Sequence, residues 1–216
     1  MTLQRWSQDG AASGGGGGAV IPSMPIASFP PAASMSGQFV RASNVGVAPG
    51  ALYFSDGTSY SLAQEHTLSA SGAAGASSSS TSFASILTLS VPGGALGPNG
   101  VFRLAFILSR TNSAAEVAYR LLLGAAGQPL AECSELWFHT DANTDVLAAS
   151  DVGFMNRGSM SSQVQTMRFY SPAPGGTTIP LVTASVNTAA DFAVHFAVQT
   201  NGTDVAQLQR HRASIL

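Results

Sequence analysis

Few side chains in this 216-residue sequence are of types that do chemistry, and their spacing limits what they can do. Cys133 and His139 are a thiol and an imidazole, the groups needed for a nucleophile with its base or for two zinc ligands. With one Cys in the whole sequence no Cys-rich zinc site can form, and a small buried thiol in a strand near a strand-end His accounts for both residues. Asp141, Asn143, Asp145 and Asp151 offer the carboxylate and amide oxygens that calcium takes. They lack the Gly at the sixth and the Glu at the twelfth position of an EF-hand loop, so Asx turns are expected there. Paired acids for glycoside cleavage would have to come from Glu116, Glu132, Glu135 and the aspartates, which the sequence does not bring together. Gly14 to Gly18 are not a phosphate loop, because the chain has no Lys to complete one. No catalytic residue, metal ligand or cofactor is expected, and the protein reads as a non-enzyme. Trp137, Phe138, Tyr119 and Tyr170 are suited to stacking on sugars, but aromatic residues at alternating strand positions are expected mostly in a core.

The elements that would hold these residues are strands. From Ser82 onward the chain alternates apolar and polar residues in short runs separated by Gly, Pro and Asn. Phe83, Leu87, Leu89 and Val91 are expected on one face of the first run. In the second, Phe102, Leu104, Phe106 and Leu108 share a face opposite Arg103. In the third, Val117, Tyr119, Leu121 and Leu123 share a face opposite Arg120. Further strands are expected at 130–139, 152–156, 163–170, 178–186, 191–199 and 204–215. His195 falls opposite the face of Phe192, Val194, Phe196 and Val198, which suits a surface or a subunit interface. No helical period competes, so the expected fold class is all-β, a jelly-roll β-sandwich over residues 82–216.

Three segments precede it. Residues 1–38 contain the five glycines and Pro22, Pro25, Pro30 and Pro31, and are expected as an extended arm with too little to bury to order alone. Its apolar residues Trp6, Val20, Ile21, Met24, Ile26 and Phe29 are candidate anchors on a neighbouring protein or sister subunit; the alternative is a plain linker. Residues 39–66 form a small β unit, with turns at Pro49-Gly50 and at Asp56-Gly57 between Tyr53/Phe54 and Tyr60. Residues 67–81 read as a Gly/Ala/Ser linker.

Charge is scarce. Asp, Glu, Lys and Arg make up 9% of residues, against about 25% in ordinary domains. Either genomic codon bias or burial of surface against other subunits explains this, and an obligate oligomer is the expected state. A net charge of −2 and scattered arginines argue against a nucleic-acid partner. The single Cys excludes an internal disulfide. No apolar run approaches the roughly 18 residues of a membrane span, and MTLQRWSQDG lacks the apolar core of a signal peptide. Synthesis in the cytoplasm, without export by a cleaved leader of that kind, is therefore the expectation.

Three stretches resemble a known family. The run LSVPGGALGPNGVFRLAFILSRTNSAAEVAYRLLLG is similar to a strand, a P-x-G-x-L-G-x-N-G turn, a strand ending near T-N-S-A and a strand closing on Gly, in jelly-roll domains of tailed-phage fibres and spikes. The matched positions include Pro92, Gly94, Gly97, Asn99, Gly100 and Asn112. FMNRGSMSSQ resembles a second pattern of that family at Asn156, Arg157, Gly158, Ser159, Ser162 and Gln163, and DVAQLQRHRASIL resembles its closing strand. The chain departs from the family after T-N-S-A, where Ala115-Glu116-Val117 replaces the usual polar run, so ligand residues are not carried over and the receptor-binding residues stay unknown. The resemblance implies a homotrimeric virion protein that binds other virion proteins (capsid, neck or tail) through its arm and a host-surface glycan through its head. A capsid or neck decoration (cement) protein is the alternative.

Overall fold

The computed structural model describes residues 21–47, 50–111, 116–141, 147–167 and 182–216. Among them there is no α-helix. The strands are β1 (Ser23–Met24), β2 (Phe39–Ala42), β3 (Ala51–Ser55), β4 (Tyr60–Leu62), β5 (His66–Ser71), β6 (Ser77–Ser78), β7 (Ala84–Val91), β8 (Val101–Arg110), β9 (Val117–Ala125), β10 (Ser134–Asp141), β11 (Leu147–Asn156), β12 (Gln163–Met167), β13 (Thr183–Ala184), β14 (Phe192–Gln199) and β15 (Ala206–Ile215). One sheet runs β10-β9-β14-β7. The second runs β13-β12-β11-β8-β15-β5, with β6 also paired to β15.

In chain order, β5, β7, β8, β9, β10, β11, β14 and β15 pass back and forth between two packed sheets ordered β7-β14-β9-β10 and β5-β15-β8-β11. That is the eight-strand double Greek key of a jelly roll, as expected from the sequence. The short β12 and β13 extend the second sheet past β11.

The core explains why the two most regular runs were legible. Phe102, Leu104, Phe106 and Leu108 alternate into it from β8, while Val117, Tyr119, Leu121 and Leu123 do so from β9. Phe106 meets the ring of Phe196 at 4.4 Å, and Phe102 stacks on Phe154 at 5.2 Å. Burying each such side chain contributes about 1.5–3 kcal/mol.

Two boundaries need correction. The linker expected at 67–81 contains strand β5 and the two residues of β6, both hydrogen-bonded to β15, so the sandwich begins at His66. Small polar side chains hide this strand, because backbone pairing with β15 holds it and Leu68 is its one apolar contact with the core. The arm expected over residues 1–38 is, over its described residues 21–38, neither extended nor free. β1 adds in parallel to β2, and 3-10 turns follow at Ile26–Ser28 and Ala32–Met35. The Ile26 amide donates to Asn44 Oδ1, and the Tyr60 hydroxyl donates to the Pro30 carbonyl. Phe29 packs edge-on against Tyr53 and Tyr60 at 5.5 and 4.9 Å. The prolines fix φ and forgo donors, which suits short turns as well as it suits an extended path.

The β2–β3–β4 unit forms as expected. Its turn is a four-residue loop in which Asp56 Oδ1 accepts from the Thr58 and Ser59 amides, with Gly57 at φ +92°. These backbone donors, Ser59 first, hold the Asp56 carboxyl below the usual carboxylate range. The unit is not separate from the head. Val40, Ala42, Ala51 and Tyr53 are fully buried, the last three in the same core as the sandwich. The Tyr53 hydroxyl donates to the Ala95 carbonyl at 2.6 Å.

Candidate functional site

Chain direction sorts the head into two poles. The connections β7–β8 and β9–β10, the β11–β12 turn, residues 185–191 before β14 and the C-terminus lie at one pole. The β1–β4 unit docks there through Tyr53 and Ala95. The connections between β6 and β7 and between β14 and β15 lie at the other, where the Thr200 amide donates to the Ser80 carbonyl.

The family-pattern residues converge on the docked pole. Asn156, wholly buried, donates through Nδ2 to the Gly97 carbonyl at 2.5 Å and to Thr188 Oγ1 at 3.0 Å. Its Oδ1 accepts from Gln163 Nε2 at 3.0 Å, which also donates to the Met160 and Val186 carbonyls. The Asn156 amide donates to the Gly100 carbonyl, and the Gly158 amide donates to Asn99 Oδ1. Pro92 turns the chain out of β7, with its carbonyl accepting from the Ala95 amide. Gly94, Gly97 and Gly158 have φ of +78°, +61° and +68°, where a Cβ is strained. A Cβ on Gly100 would run into the Leu96 carbonyl. Two motifs that lie far apart in sequence are thus one buried polar lock, with Asn156 and Gln163 as its centre and the side chain of Arg157 exposed. Asn112 lies outside the described residues.

The anchor candidates divide. Trp6 and Val20 lie outside the described residues. Ile26 and Phe29 pack against the chain's own core, and Ile21 and Met24 are half-buried beside β2. The Gly14–Gly18 run also lies outside the described residues.

The chemical candidates do not assemble. Cys133 ends a 3-10 turn just before β10, a correction to its expected place in a strand. Burial, then the charge of Glu132, pushes its thiol up. His139, six positions on and so roughly 20 Å away along extended chain, stacks against Tyr119 and Trp137. Asn143 and Asp145 lie outside the described residues, while Asp151 pairs with Arg103 at 2.8 Å. Among the described residues no three His, Cys, Asp or Glu side chains come together as a metal site would require.

What the structure does bring together is on the outer face of the β10-β9-β14-β7 sheet. Two bulges create it. At one, Phe196 pairs with Leu87 and Ala197 with Ser85, so Ile86 is the extra residue. At the other, Leu122 pairs with Glu135 and Leu121 with Trp137, so Leu136 is extra. Each bulge reverses the face of what lies beyond it. Phe83, expected on the same face as Leu87, Leu89 and Val91, is therefore placed outside, a correction to the period-two reading. Phe138 is outside too, 49% exposed, while Leu136 and Trp137 are buried.

Between these rings lies Arg120. Its guanidinium carbon is 3.9 Å from the Phe83 ring centre and 5.4 Å from that of Phe138. Its Nε is 2.8 Å from Glu135 Oε2. Ala197, which pairs with Arg120 on β14, is small enough for the arginine to lie across. Nearby, His195 faces outward as expected, with Nδ1 at 3.1 Å from Thr88 Oγ1. Burial lowers its basicity. Its Nε2 is buried with no hydrogen-bond partner among the described residues. Sequence reasoning missed the Phe83–Arg120–Phe138–Glu135 cluster. The signal was present in the adjacent apolar pairs Ile86-Leu87 and Leu136-Trp137, which break strict alternation as bulges do.

The chain is thus a jelly-roll β-sandwich with a small sheet docked at one pole. No family model matches it, and no curated protein matches it. Among solved structures it is similar to a lectin from Bauhinia forficata in complex with GalNAc, at 9% identity and TM-score 0.29, covering 71% of this chain and 98% of that one. It is also similar to the structure of infectious bursal disease virus, Gx strain, at 7% identity and TM-score 0.27, covering 82% of this chain and 45% of that one. Likenesses this distant carry no functional argument.

Proposed function

We propose that the protein is a structural component of a tailed-phage particle: a homotrimeric fibre or spike held to the virion through its N-terminal part, presenting the jelly roll for attachment to the host surface. The observation that carries this reading is polarity. The N-terminal unit and the C-terminus occupy one pole of the head, and the family-pattern residues form the lock at that same pole. The opposite pole is left for recognition by loops on a rigid scaffold. Scarce charge agrees with a binding role. The role uses neither nucleic acid nor membrane insertion; among the described residues no helix is long and apolar enough to cross a membrane.

The test uses the full chain, because a fragment starting at 67 would cut β5. Sedimentation should give a trimer. Excess protein should compete with particles for adsorption to cells. Removing residues 2–20 should abolish incorporation into particles and leave the fold intact. A monomer that neither competes nor needs residues 2–20 for incorporation would refute the proposal. A trimer found lying along the capsid or neck, without competition, would replace it with the decoration reading.

A further inference from the structure

The outer face of the β10-β9-β14-β7 sheet has features of a ligand site that folding alone does not explain. Phe138 is the most exposed large apolar side chain of the described residues, yet the Arg120–Glu135 pair fixes its surroundings. Arg120 holds Glu135 in an ion pair at 2.8 Å from Nε, without the alignment of a hydrogen bond, and lays its π face on Phe83. Its two terminal nitrogens make no hydrogen bond to any described residue, and the side chain is 37% exposed. Glu135 uses Oε2 and leaves Oε1 free, at 40% exposure. Thr140, two positions after Phe138 on the same outward face, adds an exposed hydroxyl.

We infer that this cluster is a binding site for a neutral pyranose ring, with Phe138 as the stacking platform and the Arg120–Glu135 pair reading the hydroxyls. The chemistry selects that ligand over others. A pyranose has an apolar C–H face that lies on an aromatic ring, and a rim of hydroxyls that each donate and accept. The pair supplies fixed donors from the guanidinium and a fixed acceptor from the carboxylate, side by side. Because the two charges cancel locally, a phosphate or an acidic sugar gains nothing from Arg120 that Glu135 does not take back. Two rings and an ion pair already hold the arginine, so little side-chain entropy is lost on binding. The inference rests on the attachment reading for the biological origin of the sugar; the site itself stands on the geometry.

The test is ligand-observed saturation-transfer NMR on the full-length protein. The probes are the methyl glycosides of glucose, galactose and mannose, with N-acetylneuraminic acid as the acidic control. At least one neutral glycoside should receive saturation on its ring protons, and the acidic sugar none. Phe138→Ala should abolish the transfer. Arg120→Lys keeps the charge but loses the fork, and should weaken affinity about tenfold, the equivalent of one charge-assisted hydrogen bond. Both variants should melt within a few degrees of the parent, as exposed substitutions do. No transfer from any neutral glycoside, or transfer unchanged in Phe138→Ala, overturns the inference. A Phe138→Ala protein that sediments as a monomer also overturns it, showing the ring to be covered by a second copy. Failure here with adsorption competition intact removes the site and spares the attachment proposal. Sugar binding without competition does the reverse.

Discussion

Replacing Asn156 by Ala tests whether the motif residues act as a buried lock. The side chain is wholly buried and makes three hydrogen bonds: to the Gly97 carbonyl, to Thr188 Oγ1 and from Gln163 Nε2. Each is worth about 1 kcal/mol net, with a further penalty where a buried partner is left without a replacement. The expected loss is therefore about 3–4 kcal/mol. At about 2–4 °C per kcal/mol for a chain of this size, melting should fall by roughly 6–16 °C. Urea titration should show a lower midpoint with an unchanged m-value, the sign of lost stability without a change in the surface exposed on unfolding. Arg157→Ala is the internal control. It alters the neighbouring motif residue, whose side chain is exposed, and should stay within about 0.5 kcal/mol of the parent. Because Gln163 shares the network, Asn156→Ala and Gln163→Ala should cost less together than the sum of their separate losses. A loss below about 1 kcal/mol for Asn156→Ala, or an equal loss for Arg157→Ala, would refute the reasoning.

Gly153→Ala places a Cβ against the Phe102 carbonyl and 3.1 Å from Thr166 Oγ1 in the middle of β11. It should destabilise by about 2 kcal/mol or more, read as a lower urea midpoint. For acid sensitivity, burial of His66 lowers its basicity, backbone carbonyls of Val45 and Val47 partly oppose this, and Arg41 adds to the lowering. The unfolded chain then binds the proton more readily than the folded one. Stability should be full above about pH 6.5 and decline as pH falls below it. His66→Asn should flatten that decline in melting scans from pH 7.5 to 5, leaving the part due to His195 and His211, which burial lowers likewise. An unchanged slope would count against a role for His66.

Legibility in the sequence followed how each strand is held. β8 and the first half of β9 read correctly because each buries one face there, so the apolar period of two is the structure. β5 did not, because Leu68 is the one apolar side chain it packs on the core, at a bulge, and most of its order comes from backbone bonds to β15, which leave no mark on hydropathy. Residues 21–38 looked like free arm because prolines and small residues serve short turns and extended chain alike. What composition hid was Phe29, one aromatic residue whose packing on Tyr53 and Tyr60 needs tertiary structure to be seen. At the site, the lock residues were legible as turn positions but not as one network, since nothing local says that the 92–100 turn meets the 156–163 turn. The outer-face cluster was illegible for the opposite reason: a bulge at Ile86 reverses the phase of Phe83, and one at Leu136 breaks the alternation ahead of Phe138.

The sheet edges bear on the scarcity of charge, for which codon bias and subunit burial were rival explanations. Soluble proteins guard exposed edges with bulges, brevity, Pro or Lys. Three of the four edges of the sandwich are guarded: β7 at Ile86, β10 at Leu136, and β13 by having two residues. The fourth edge, formed by β5 and β6, is guarded likewise, by a bulge at Leu68 and by the brevity of the two-residue β6. One bond shields part of it, from the Val47 amide to the Thr67 carbonyl. Codon bias would thin the charge everywhere alike and leave the geometric guards where they fell. The guarded edges therefore fit either explanation, and sedimentation of the full chain separates them: a monomer leaves codon bias, and a trimer leaves burial between copies.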